Sequence, residues 1–330
     1  MSSSESIGCG ANKQGMSDLD KIEVRRVSEA DYDDVMSIRS AIYCGYDYLP
    51  FSYRSLITHS HNEGYAAVIN GKFAAFCFVS KVDGGETAVS RASRVNKQYE
   101  GFGVYKALTL IIEKRLFSDG TVLNDAVVYS EGNQKMVIAT SRGEYTLLMK
   151  RTFIVYKVDC EKMTVLSQGT HPTKHTRILN AVDLETAFKS SKVCSTLFPE
   201  ERIMCNQVPY RLKGPNIPLI VSEVSLIVGT TVPEWSLVTC GVYYRSENGH
   251  TYTLEVYGNC DFIKEHLVLH FQHALQCCHK EVDIIFFCNE NEASKIDIEM
   301  KELQFRNVDF NSQQCLLLKR ELNKYSYESN

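Results

Sequence analysis

The sequence predicts a mixed α/β protein built as two folded units, and three observations lead there. Strand-type alternation and helix-type periodicity interleave through residues 22–158 in the order β-α-α-β-β-β-α-β-α-β-β. A glycine-bearing loop, Gln98-Tyr99-Glu100-Gly101-Phe102-Gly103-Val104, joins one of those strands to a strongly periodic helix. A polar, turn-prone stretch at 167–175 then precedes a second set of elements, and six of the seven prolines lie after residue 170. The expected division is a disordered tail at 1–18, a first domain at 19–159, a linker at 160–180 and a second, smaller α/β domain at 181–330.

The elements follow in order. Residues 22–27 alternate as a strand; Ser28 then caps a helix, with Asp31 as capping-box partner and Val35, Ile38 and Ile42 on one face. A short helix is predicted over 53–59. Strands at 64–69 and 72–83 are joined by Asn70-Gly71, a two-residue hairpin signal. A strand at 87–95 runs into the glycine loop, and Val104, Ala107, Leu108 and Ile111 define the face of a helix reaching residue 117. A strand at 125–129, a helix at 133–141 and two strands within 145–158 complete the first unit. The second unit reads as strands at 236–244 and 250–257, a helix at 262–278, a strand at 282–288, a helix at 295–305 and a strand at 313–322. That order repeats the latter half of the first unit.

Composition narrows the functional classes. The 330 residues are 44% hydrophobic, ample for buried cores, and the net charge of −4 offers no basic footprint for nucleic acid. Twelve cysteines without disulfide spacing suit a reducing compartment. The amino-terminal stretch lacks the basic start and apolar run of a signal peptide, and the longest apolar run, 217–228, is too short to span a bilayer. The expectation is a cytoplasmic protein without membrane or nucleic-acid partners.

The glycine loop is the chemically informative segment. A strand that breaks into such a loop and restarts as a helix gathers backbone N–H groups around one point, at the positive end of the helix dipole. Gly101 and Gly103 leave room for a bulky pyrophosphate. Position 106 is Lys106, so the dinucleotide fingerprint G-x-G-x-x-G is not met, and the Gly-Lys-Ser/Thr of a Walker loop is absent. The pattern that fits is Gln/Arg-x-x-Gly-x-Gly/Ala.

With that pattern and this element order, residues 22–158 resemble the GNAT superfamily of acetyl-CoA-dependent N-acetyltransferases. A sharper resemblance, to the vertebrate histidine N-acetyltransferase group, rests on Ile42-Tyr43-Cys44-Gly45-Tyr46-Asp47-Tyr48-Leu49-Pro50, on Asp83-Gly84-Gly85-Glu86-Thr87, on Arg94-Val95, and on Tyr145. The resemblance implies a GNAT fold, acetyl-CoA as co-substrate, no metal, and acetylation of the α-amine of a free amino acid, histidine in the type enzyme. The second domain then reads as a degenerate GNAT-like half. Its corresponding loop, Gly258-Asn259-Cys260-Asp261, places an acid where phosphate would sit, so no acetyl-CoA is expected there.

The resemblance assigns roles residue by residue. Gln98, Tyr99, Glu100, Gly101, Phe102, Gly103 and Val104 would hold the pyrophosphate, the N–H near Val95 would polarise the thioester, and Asn133 would line the cofactor channel. Tyr145 is the candidate acid for the departing thiolate; a tyrosine packed at a strand start is the competing reading. Where relatives carry a glutamate base, this chain has Arg91. Alternation puts Arg91 on the face of Ser93 and Val95, from which it could clamp a substrate carboxylate; a surface arginine is the competing reading. Glu86 is a distant candidate for a base acting through water, and Asp47 and Tyr48 are candidates for the substrate wall. His266, His270, His273 and Cys277 share a helical face, but the crowding apolar residues point to a partly exposed polar face rather than a metal stripe. Two further readings stay open: an inactive acyl-CoA-binding GNAT protein, and an acetyltransferase for peptide or lysine amines.

Overall fold

The computed structural model describes residues 22–118, 120–169, 174–198, 200–308 and 314–322. The expected tail at 1–18 lies outside them. The first half runs β1 (Glu23–Arg26), α1 (Tyr32–Ser37), α2 (Leu49–Thr58), β2 (Asn62–Ile69), β3 (Lys72–Val82), β4 (Thr87–Val95), α3 (Val104–Ser118), β5 (Asn124–Ser130), α4 (Gln134–Ser141) and β6 (Thr146–Asp159). Then come α5 (Cys160–Gly169), β7 (Thr176–Ile178), α6 (Ala181–Lys189), α7 (Ser191–Leu197), β8 (Arg202–Cys205), β9 (Val208–Arg211), α8 (Ile217–Glu223) and β10 (Leu226–Thr230). The chain continues with β11 (Leu237–Ser246), β12 (Gly249–Gly258), α9 (Ile263–Ala274), β13 (Glu281–Cys288), α10 (Glu290–Glu302), β14 (Arg306–Val308) and β15 (Gln314–Glu321).

Local signals work where they are specific. The Ser28–Asp31 capping box forms, and Asn70 and Gly71 take the left-handed values (φ +50° and +73°) of a tight hairpin. Four readings differ. The helix expected from Ser28 stops at Ser37, because Ala41, Tyr43 and Cys44 are left-handed and put Ile42 in an irregular segment. Helix α2 starts at Leu49, with Pro50 tolerated in its first turn, where no N–H is needed. The two strands expected within 145–158 are one strand of 14 residues. The segment read as a linker, 160–180, holds α5 and β7.

Strand β6 is long because it serves both halves. The main sheet has the order β1-β2-β3-β4-β5-β15-β6-β13-β12-β11-β10-β7, with β14 added beside β6. The last strand of the chain, β15, is antiparallel to β5 of the first half, while the end of β6 pairs with β13 of the second. Each half therefore completes its sheet with the other's final strand, and one twisted sheet runs through the molecule.

Cores follow this weave. One apolar cluster joins Val82, Val89, Ala126 and Met149 of the first half to Leu184, Ile203, Tyr210 and Tyr257 of the second. Asp83, from the Asp-Gly-Gly segment, is buried at the same junction. Its carboxylate accepts from the Arg211 amide (3.0 Å), the Asn216 side chain (2.7 Å) and the Thr87 hydroxyl (2.7 Å). Gly45, at φ +85°, meets Asn248 of the β11–β12 turn so closely that an added Cβ would lie 2.4 Å from the Asn248 side-chain oxygen. Among the described residues, no helix is long and apolar enough to cross a membrane.

The histidine stripe of α9 is not the partly exposed face expected of it, because its centre is packed against the sheet and hydrogen-bonded there. His266 and His270 are buried and share the Thr239 hydroxyl (2.8 and 2.7 Å), with Thr230 and Tyr252 as further partners. Burial lowers both, His266 to about 3, so they are neutral in the folded protein. Their folded values lie below the unfolded one, so the unfolded chain binds more protons as pH falls through about 6.5, and stability falls with it. The expected urea-unfolding free energy drops by up to about 1.4 kcal/mol per pH unit per histidine between about pH 6 and pH 4, and His266→Gln flattens that slope. Asp83→Ala, which strands three buried donors, is expected to cost about 3–5 kcal/mol in the same measurement at neutral pH.

Candidate active site

The geometry of the site begins at a bulge in β4. Strand β4 pairs in parallel with β5 only from Thr87 to Ser90, opposite Asn124 to Val127. Beyond Ser90 the two strands separate. Ala92 adopts φ +52°, and the register with β3 shifts between Phe76 and Phe78, so one extra residue bends β4 away. The Asn96 N–H bonds the Ala74 carbonyl of the β3 side (2.9 Å); by alternation, the N–H of Val95 and the carbonyl of Ser93 face the opening. The Tyr43 hydroxyl donates to that Ser93 carbonyl at 3.2 Å. A cavity of about 530 Å³ occupies the opening, and Arg91, Tyr129, Asn133, Tyr145 and Gln207 are among its lining residues.

The bulge overturns the predicted face of Arg91. Strict alternation across residues 91–95 would align Arg91 with Ser93 and Val95, but the inserted residue breaks the period. Ser93 bonds Tyr105 of α3 (2.6 Å), and Val95 packs in the core beneath that helix. Arg91 points to the other face, where Nε donates to the Tyr48 hydroxyl (3.0 Å) and Nη2 to the Asn206 carbonyl (3.2 Å). It is a buried arginine, not a surface one. Glu223 lies 3.7 Å from its Nη1. Burial opposes ionisation of Glu223, yet His61, Arg91 and Asn206 hold its carboxyl down at about 2.

The glycine loop stands at the mouth of the opening. Lys97–Tyr99 form a 3₁₀ turn capped by the Asn96 side chain, which accepts from the Gln98 amide (3.1 Å). The amides of Tyr99 and Glu100 bond back to Asn96 and Lys97, and that of Phe102 more loosely to Tyr99. Glu100 pairs with Arg39, and Phe102 is exposed. Gly101 and Gly103 are left-handed (φ +84° and +78°), and a Cβ on either would meet nothing within 4 Å. Glycine is thus required there by backbone conformation, and the space above it is open. The Ala107 amide closes the first turn of α3 on the Gly103 carbonyl (2.9 Å), which leaves the amides ahead of it as the unpaired donors of a helix start. Those donors and the open glycines fit a diphosphate.

The remaining predicted residues are spread out. Asn133 caps α4 and lines the cavity. Tyr145 lines it too, but its ring lies against Arg320 (5.1 Å), which also binds Asp125 (2.5 Å) and Glu113. Asp125 pairs with Ala88, two residues before the last pair of the two strands, so Tyr145 sits toward the closed end. Burial pushes the Tyr145 hydroxyl above the ordinary phenol value, and it pushes the Asp125 carboxyl up to about 6 against the pull of Arg320. Asp47 is buried against Arg94 (3.0 Å) and accepts from the Leu49 amide at the start of α2. Tyr48 is spent on Arg91. Glu86 is tied to Arg211 (3.0 Å) and Lys213 (3.2 Å). Sequence reasoning missed Tyr43, Asn206, Gln207 and Arg320, of which only Asn206-Gln207, between two short apolar runs, carried a local turn signal.

The second half repeats the skeleton with its opening filled. Pairing of β12 with β13 ends at Glu255 and Phe287. There the Arg151 guanidinium bonds the carbonyls of Val256 (2.6 Å) and Phe287 (2.8 Å) and the Asn289 side chain (2.8 Å), beside Glu255. Burial raises the Glu255 carboxyl to about 7 while Arg151 opposes it. In the loop ahead of α9, the Cys260 amide is taken by the Glu292 carboxylate (2.8 Å), and Lys295 bridges Asn259 and Asp261.

Comparison with known proteins agrees with this geometry. Residues 172–289 match the family described as histidine N-acetyltransferase, C-terminal. Histidine N-acetyltransferases of Scomber australasicus and Oreochromis niloticus are each 36% identical over 77 residues, which is 23% of this chain and 23% of each of those proteins. The match thus spans about a quarter of these relatives' length. Among solved structures, a tandem GNAT protein from the clavulanic acid biosynthesis pathway superposes with TM-score 0.53 at 9% identity, covering 91% of this chain and 98% of that one. A GCN5-related N-acetyltransferase from Sphaerobacter thermophilus gives 0.52 at 10% identity, covering 92% and 96%. The chain shares the fold of these GNAT acetyltransferases, and its residues 172–289 are similar to the carboxy-terminal region of histidine N-acetyltransferases.

Proposed function

We propose that this chain is an acetyl-CoA-dependent N-acetyltransferase whose acceptor is the α-amine of a free amino acid, with histidine the leading substrate. The observation that supports it most is the parting of β4 from β5 beyond Ser90, with the bulge at Ala92, beside a glycine loop with open space and a helix start. The match of residues 172–289 to a histidine N-acetyltransferase region supports the choice of acceptor.

Acetyl-CoA brings an activated thioester; the chain has to hold it, polarise it and present an amine. The amides of Gly101, Gly103 and the first turn of α3 bind the diphosphate, and the Val95 N–H, facing the opening, donates to the thioester oxygen as charge develops on it. The acceptor nitrogen, once neutral, forms the C–N bond, and the C–S bond breaks. The amine proton leaves to water in the cleft, and Tyr145 is the candidate to protonate the sulfur. Arg91 would hold the acceptor carboxylate. The second half takes no acetyl-CoA in this reading, because Arg151 and Glu292 occupy the corresponding positions.

The test is direct. The purified chain is incubated with acetyl-CoA and each free amino acid, and N-acetylated product is quantified by mass. A histidine-selective product is expected. Acetyl-CoA binding without product for any amine favours an inactive acyl-CoA-binding protein, and activity confined to peptides sinks the amino-acid reading. Gly103→Trp, strained at φ +78° and filling the cradle, is expected to lower acetyl-CoA affinity at least about 100-fold by calorimetry, since it removes the phosphate contacts. Affinity unchanged in that variant would overturn the assignment of the loop.

A further inference from the structure

The side of β4 that bears Arg91 is closed by the second half of the chain. The tip of the β8–β9 hairpin is Asn206-Gln207, with both residues left-handed (φ +50° and +63°). The Asn206 carbonyl accepts from Nη2 of Arg91, and its side-chain amide donates to Glu223 at 2.9 Å. Glu223 closes α8 and stands 3.7 Å from Nη1 of Arg91, beyond hydrogen-bond reach. The Arg91 side chain is only 3% exposed, yet its Nη1 has no hydrogen-bond partner. Arg91 and Gln207 both line the cavity where the strands part.

A buried guanidinium with one idle nitrogen beside a cavity is costly unless an acceptor arrives to complete it. Glu223 as placed does not complete it, because its nearer oxygen, Oε1, stands 3.7 Å from Nη1 while its Oε2 accepts from Asn206. Arg91 lines the cavity, and for a carboxylate held there the planar fork of arginine suits it better than any other side chain. Gln207 is exposed, neutral and able both to donate and to accept, so it can bond a polar side chain next to that carboxylate without imposing charge.

We propose that Arg91, held in place by Glu223 and Asn206, is the subsite for the acceptor's α-carboxylate, and that Gln207 selects the acceptor's side chain. The second half of the chain would then decide which amine is acetylated, while the first half handles the thioester. This rests on the acetyltransferase reading above and adds Glu223 and Asn206 as positioning residues and Gln207 as a specificity residue.

The experiment is steady-state kinetics on the full chain, wild type, Glu223→Gln and Gln207→Ala, with free amino acids and with histamine, which is histidine without its carboxylate. Wild type is expected to favour histidine over histamine by at least about tenfold in kcat/KM, because an unfilled buried donor is penalised. Glu223→Gln is expected to erode that ratio by raising the histidine KM, with the acetyl-CoA KM within about twofold of wild type. Gln207→Ala is expected to reorder the amino acids while keeping the carboxylate preference. If both variants scale all acceptors equally, or change none, the proposal falls and the acetyltransferase reading survives. If wild type acetylates no amine at all, both fall. Should Glu223→Gln not fold, Gln207→Ala at the exposed hairpin tip decides alone, and an unchanged ranking overturns the proposal.

Discussion

The exchange of β6 and β15 between the two halves is the constraint on which the rest depends. Neither half can close its sheet with its own last strand: β5 meets β15, β13 meets β6, and the two exchanged strands pair with each other. Backbone hydrogen bonds are obligatory in a buried sheet, so separating the halves would expose four ladders at once, that of β14 with β6 included. The shared apolar cluster and the Asp83 junction are consequences of that weave. Loss of either would be felt on both sides of the molecule.

Within one skeleton the halves have diverged in what fills the gap between diverging strands. In the first, the gap lies beside a glycine loop whose left-handed positions face open space, and the strand amide at Val95 points into it. In the second, Arg151 supplies N–H donors to two carbonyls that the separating strands would leave unpaired. A guanidinium can satisfy several acceptors in one plane, which makes it a good substitute for a missing ladder. Glu292 does the corresponding service for an unpaired amide in the loop. A polar requirement that a ligand would meet in one half is met by side chains in the other.

The first domain was legible because its signals are local. The Asn70-Gly71 turn, the Ser28–Asp31 box and the glycine loop each depend on residues within a few positions of one another. The site was less legible. Alternation gave Arg91 the wrong face because a single left-handed alanine breaks the period, and nothing about Ala92 in the sequence marks it. Tyr145 was placed by resemblance, and register puts it nearer the closed end of the cleft than the point of separation. Glu86, the candidate base, and Asp47, the candidate substrate wall, have partners (Arg211, Lys213 and Arg94) from distant stretches that no local pattern connects.

By itself the sequence determined the element order of the first half up to its last strand, the α/β class and the one loop suited to a diphosphate, because backbone propensity, periodicity and glycine conformation are encoded within a few residues. The tertiary structure alone decided that the final strands change places, that Arg91 is buried facing the hairpin of the other half, and that Arg151 seals the second opening. Those outcomes depend on which groups are left without hydrogen bonds once remote segments meet, and that accounting exists only after the chain has folded.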